Sequence, residues 1–152
     1  MINLPLIPDT NPKEAFCYLD YLVVDDIVAV RHVLIKILRR LGVKGRIDTA
    51  GDGLEAWGMV QDYSYDFIIC DIHMPRMNGL KFKRLLRASP HFRETPFLMI
   101  SGEVSEKTMA LAMETEFDGY LYKPFRSAAL EQWLLKLAGG LSACVLLSTY
   151  HR

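Results

Sequence analysis

The sequence predicts an α/β fold, a doubly wound (βα)5 unit built on a parallel five-stranded sheet. Three observations carry that prediction. Five short apolar runs recur along the chain, each followed by a stretch of helical periodicity. The runs are apolar nearly throughout instead of alternating, as strands covered on both faces are. A chain of 152 residues can enclose one core unaided.

The elements follow in order. Residues 1–16 hold Pro5, Pro8 and Pro12 and read as an irregular arm. Tyr18–Val24 is the first strand, ending abruptly at Asp25-Asp26. Val30, Val33, Leu34, Ile37, Leu38 and Leu41 repeat with a helical period that Gly42 closes. Arg46–Ala50 is a second strand, followed by Gly51-Asp52-Gly53 and a helix over Leu54–Tyr63. Asp66–Cys70 is a third strand, bounded by Asp71 and the breaker segment MPRMNG. Leu80–Ala88 is helical, and Pro90 and Pro96 punctuate the way to a fourth strand, Pro96–Ile100, which ends at Ser101-Gly102. A weakly amphipathic helix spans Glu106–Thr115, and a fifth strand, Gly119–Tyr122, ends at Lys123-Pro124. Leu130, Trp133, Leu134 and Leu137 mark a last helix, stopped by Gly139-Gly140. One domain over 17–138 and a short tail over 139–152 result.

Composition narrows the function classes. Hydrophobic residues make up 51% of the chain and charged ones 24%, a globular balance. Lys and Arg total 18, as do Asp and Glu, so no global field draws the chain to nucleic acid or an anionic membrane. Cys17, Cys70 and Cys144 lack CxxC spacing and leave one thiol over, which suits a reducing compartment. The first residues lack the pattern of a signal peptide. The apolar run Leu141–Leu147 is far short of the roughly 20 residues a membrane span needs. A cytoplasmic protein that neither inserts in a membrane nor binds nucleic acid is the expectation.

Ligands of open α/β sheets bind beyond the carboxyl ends of the strands. Asp25-Asp26, Asp71, Ser101 and Lys123 stand at those ends after the first, third, fourth and fifth strands. Taken singly, each has a plain structural explanation: a helix cap for Asp25 or Asp26, turn chemistry for Asp71 and Ser101, a solvated loop for Lys123. Together they place three carboxylates, a hydroxyl and an ammonium at one edge. Crowded carboxylates raise one another's pKa unless a cation joins them, and Mg²⁺ suits an all-oxygen set. Lys123 and Ser101 suit phosphoryl oxygens, and the remaining carboxylate can act as a nucleophile that forms an acyl phosphate. Cys70 precedes Asp71 on its strand, so it faces away from the site and packs as a small hydrophobe.

The segments LVVDD, CDIHMPRMNG, LMISGE and GYLYKPF resemble, in order and spacing, the signature segments of the response-regulator receiver family, CheY-like in size with a flavodoxin-like sheet. The resemblance runs from about Tyr18 to Ala138. It implies that Asp71 is the phosphoacceptor, and that Asp25, Asp26 and Asp71 hold Mg²⁺ (or Mn²⁺) with the backbone carbonyl of His73. It implies that Ser101 and Lys123 bind the phosphoryl group, and that Ser101 and Tyr120 form the switch. The Lys123–Pro124 bond is expected to be cis, aiming the lysine inward. His73 and Glu103 fall at two variable positions that tune attack of water on the aspartyl phosphate. Zinc at His73 with Asp71 finds no second His or Cys at ligand spacing.

The expected partners are a sensor histidine kinase or histidine phosphotransfer protein, and a downstream protein of unknown identity. The residues after Gly139-Gly140 are too few for an output domain, so the consequence of phosphorylation is expected to be read by another protein. Leu141–Leu147 could cover the domain's own surface or pair with a second copy, as a homodimer. Two readings stay open at this stage: a switch that binds a target, and a relay intermediate that passes the phosphoryl group to a phosphotransfer protein. An aspartyl-nucleophile phosphohydrolase fits poorly, because it needs a DxD pair after the first strand and a cap domain.

Overall fold

The computed structural model describes residues 15–103 and 105–139. The sheet runs β2-β1-β3-β4-β5, every neighbouring pair parallel. Its strands are β1 (Tyr21–Val24), β2 (Ile47–Ala50), β3 (Phe67–Asp71), β4 (Phe97–Ser101) and β5 (Asp118–Tyr122). The helices are α1 (Val28–Arg40), α2 (Gly53–Asp62), α3 (Gly79–Ala88), α4 (Glu106–Ala112) and α5 (Ser127–Gly139). Among the described residues this is the expected doubly wound unit. The arm, up to residue 14, and the tail, from residue 140, lie outside the described residues.

Strand side chains alternate between faces, so a strand covered on both sides feeds two cores. Tyr21, Val23, Phe67, Ile69, Leu98 and Ile100 pack with Leu34, Leu38, Leu130 and Leu134 of α1 and α5. Leu22, Val24, Ile68, Cys70, Phe97 and Met99 pack on the other face with Ala56, Val60, Phe82 and Leu86 of α2 and α3. This explains why β1, β3 and β4 read as unbroken apolar runs. β2 departs from that expectation: only Ala50 is buried, and Ile47, Asp48 and Thr49 are partly exposed.

Two boundaries lie three residues from the sequence reading; the other stated strand and helix bounds agree to within one residue. Phe16–Tyr18 is a 3₁₀ turn and β1 begins at Tyr21. The Tyr21 hydroxyl donates to the Phe16 carbonyl (2.7 Å) and the Asp20 N–H to Asp66 Oδ2 (2.8 Å), which fold the approach back instead of extending it. α4 stops at Ala112, three residues before the expected Thr115. There Lys83 Nζ donates to the Leu111 and Ala112 carbonyls (2.6 and 2.8 Å), and the Thr115 N–H turns to Asp118 Oδ2 (2.9 Å).

Candidate functional site

The register brings the strand ends level. Val24 lies beside Ala50 and Cys70, Asp71 beside Ile100, and Ser101 beside Tyr122, so the polar residues that follow share one edge. Asp25 is buried, and its Oδ1 accepts from the Ile27 N–H (2.9 Å). Neither aspartate caps α1, whose N-cap is Ile27 without a side-chain hydrogen bond. The capping explanation therefore fails for this pair, and Asp26 is left exposed at the rim.

Asp71 closes β3, half-buried, with Oδ1 accepting from the Ile72 N–H (2.9 Å). Carboxylate oxygens of Asp25, Asp26 and Asp71 all lie within 4.8 Å of one another. Lys123 Nζ approaches Asp25 Oδ2 at 3.1 Å and Asp71 Oδ2 at 3.6 Å. Burial pushes the Asp71 carboxyl above its ordinary pKa; Lys123 opposes the shift, and Asp25 and Asp26 add to it. Three carboxylates against one ammonium leave negative charge in excess, and every acidic donor is a hard oxygen. The set fits a hard divalent cation such as Mg²⁺.

Around this centre, Ser101 is fully buried and its Oγ accepts from the Glu103 N–H (3.1 Å). The Lys123 N–H donates to the Ser101 carbonyl (2.9 Å), and the Lys123–Pro124 bond is cis. Tyr120 is buried at 5% exposure, and its hydroxyl donates to the Glu103 carbonyl (2.7 Å). Cys70 faces the other layer, wholly buried, and burial pushes its thiol pKa well up.

Some contacts at the site were not legible in the sequence. His73 and Glu103, expected to tune the attack of water, meet each other at 2.7 Å between Nε2 and Oε2. They are 30 positions apart, and no local motif joins them. Arg76, in the left-handed region at φ 63°, pairs through Nε with Asp52 Oδ2 at 2.7 Å. Asp52 also caps α2 by accepting from the Glu55 N–H (2.9 Å), so one carboxylate ties the segment after Asp71 to a helix end. The Gly51-Asp52-Gly53 punctuation marked the break before the helix and carried no sign of the arginine.

The chain is similar to known proteins in sequence and in fold. Residues 21–135 match the family model of the response regulator receiver domain. The chemotaxis protein CheY-3 of Vibrio cholerae is 34% identical over 116 residues, covering 76% of this chain and 88% of that protein. The chemotaxis protein CheY of Pseudomonas aeruginosa is 31% identical, over 76% of this chain and 93% of that one. The solved structure of Vibrio cholerae CheY4 superposes with a TM-score of 0.71 at 31% identity, covering 79% of this chain and 98% of that one. The receiver domain of the Pseudomonas aeruginosa sensor histidine kinase PA1611, solved with a magnesium ion coordinated in its active site cleft, has a TM-score of 0.71 at 26% identity, covering 80% of this chain and 98% of that one. With its sheet order and its acidic strand-end cluster, this chain belongs to the response regulator receiver domain family.

Proposed function

We propose that Asp71 accepts a phosphoryl group from a phosphohistidine of a sensor histidine kinase or phosphotransfer protein. The observation that carries this reading is the convergence of Asp25, Asp26 and Asp71 within 4.8 Å, with Lys123 Nζ 3.6 Å from Asp71 Oδ2. In the transfer, Asp71 Oδ2 bonds to phosphorus as the P–N bond breaks, and the departing imidazole nitrogen keeps the electron pair. Lys123 meets the charge on the phosphoryl oxygens. Asp25, Asp26, Asp71 and the His73 carbonyl would hold Mg²⁺, and Mn²⁺ suits the same oxygen donors. When bound, the metal supplies positive charge against the phosphoryl oxygens.

The buried Ser101 hydroxyl is the donor for one phosphoryl oxygen. Its turn toward that oxygen takes an acceptor from the Glu103 N–H and loosens the carbonyl that holds Tyr120 (2.7 Å). The result is a shift of population between two packings that remodels the surface of α4, β5 and α5, read by a downstream protein. His73 and Glu103 tune how fast water reaches the phosphorylated carboxylate.

The test is incubation with acetyl phosphate and Mg²⁺ followed by intact mass. One phosphoryl adduct is expected on the wild-type chain and none on Asp71→Asn. An adduct that persists in Asp71→Asn would overturn the reading.

A further inference from the structure

Glu103 is a meeting point of four polar contacts. Its N–H donates to Ser101 Oγ (3.1 Å), and its carbonyl accepts from the Tyr120 hydroxyl (2.7 Å). Its carboxylate is divided between two partners: Oε2 lies 2.7 Å from His73 Nε2, and Oε1 accepts from Thr108 Oγ1 at 3.0 Å. An ion pair between exposed side chains contributes little on its own. The His73 side chain is 69% exposed and that of Glu103 37%, so the pair by itself would open readily.

Thr108 changes that balance. It sits in the first turn of α4, where its own N–H donates to the Ser105 cap (3.4 Å), so the helix backbone fixes the place of its hydroxyl. The hydroxyl holds one carboxylate oxygen and leaves the other turned to His73. Hydrogen bonds from His73 first, and from Thr108 next, hold the Glu103 carboxyl below its ordinary pKa, consistent with both contacts serving the charged form. Because Asp71 lies beside Ile100 in the β3–β4 register, the His73–Glu103 pair joins the two chain segments that leave those strands just beyond Asp71.

We infer that Thr108 is a positioning residue: by holding Glu103 against His73 it keeps a polar bar across the Asp71 site and prolongs the phosphorylated state. The inference rests on Asp71 being the phosphoacceptor. In hydrolysis a water oxygen bonds to phosphorus, and the P–Oδ bond breaks with its electron pair returning to the carboxylate. The water's proton passes to the released phosphate or to solvent. The bar acts before this step, by limiting where water can stand.

The experiment phosphorylates wild type, Thr108→Val, Thr108→Ser, Glu103→Ala and the Thr108→Val/Glu103→Ala pair with acetyl phosphate and Mg²⁺. The donor is then removed, and adduct decay is followed by intact mass, with thermal melts confirming that each variant is folded. Thr108→Val should shorten the lifetime about three- to tenfold, the factor one ordinary hydrogen bond translates to. Thr108→Ser, which keeps the hydroxyl, should decay like wild type, and Thr108→Val should add nothing in the Glu103→Ala background. Equal lifetimes for wild type and Thr108→Val, or an undiminished effect without the Glu103 carboxylate, would overturn the inference alone. Absence of adduct from every chain would overturn the Asp71 reading and the inference with it.

Discussion

At the scale of single residues, Gly79 shows how narrowly the site is supported, and Lys83 shows how one buried ammonium ties α3 to the end of α4 and the start of β5. A Cβ on Gly79 would stand 2.1 Å from the Asp71 carbonyl oxygen, a backbone atom that cannot step aside. Gly79→Ala should therefore cost about 1–3 kcal/mol by overpacking, read as a lower urea midpoint. Lys83 is 3% exposed, with its ammonium on the Leu111 and Ala112 carbonyls and 3.3 Å from Asp118 Oδ2. Burial lowers its pKa, and Asp118 opposes the shift. Arg87 also grips Asp118 (2.6 Å), so Lys83→Met would leave one carboxylate still paired but two helix-end carbonyls without their donor. A loss of about 2–4 kcal/mol is expected from chemical denaturation. Asp26 makes the opposite case. It is exposed and adds repulsion to the acidic cluster, so Asp26→Asn should leave the apo melting temperature unchanged or slightly raised. Mg²⁺ added to wild type should raise that temperature by ligand linkage, and much less in Asp26→Asn.

At the scale of elements, the N-terminus of α2 is where the segment after Asp71 is secured. Burial alone would raise the Asp52 carboxyl, but the Glu55 N–H and then Arg76 hold it below the ordinary range. A carboxyl lowered on folding binds fewer protons in the native state than in the unfolded one. Its contribution is complete above the unfolded pKa of about 3.9 and fades as pH falls through the lower native value. Asp52→Asn, which keeps a capping oxygen but loses the charge, should be less stable than wild type at pH 7. The difference should shrink on acidification below pH about 4, followed by circular dichroism melts across pH. Asp52→Ala, without any cap, should cost about 1 kcal/mol at neutral pH.

For the whole molecule, the strands belong to both cores at once, so neither layer can unfold while the other persists. The chain's two tryptophans report on this separately. Trp133 packs against the α1–α5 layer and Trp57 against the α2–α3 layer. Urea transitions followed by fluorescence in Trp57→Phe, which keeps Trp133, and in Trp133→Phe, which keeps Trp57, should each coincide with that variant's own circular dichroism transition. A fluorescence transition separated from loss of helix signal would show layers that come apart.

Much of the fold was legible because its determinants are local or periodic. Unbroken apolar runs such as Phe67–Cys70 announce strands buried on both faces, and turn residues mark where they stop. Parallel strands joined through helices then bring every strand's carboxyl end to one edge, so Asp25, Asp26, Asp71, Ser101 and Lys123 could be grouped from order alone. What sequence could not decide is which polar side chains pair across that edge, since pairing depends on distances between loops far apart in the chain. The His73–Glu103–Thr108 arrangement, the Arg76–Asp52 tie and the Lys83–Asp118–Arg87 cluster exist only because folded elements bring those groups within hydrogen-bond reach. The early end of α4 has the same origin, a lysine from α3 reaching its last carbonyls. Periodicity determined the layers and the edge where chemistry gathers; tertiary packing decided the partners, because a hydrogen bond is a matter of ångströms and a pattern is not.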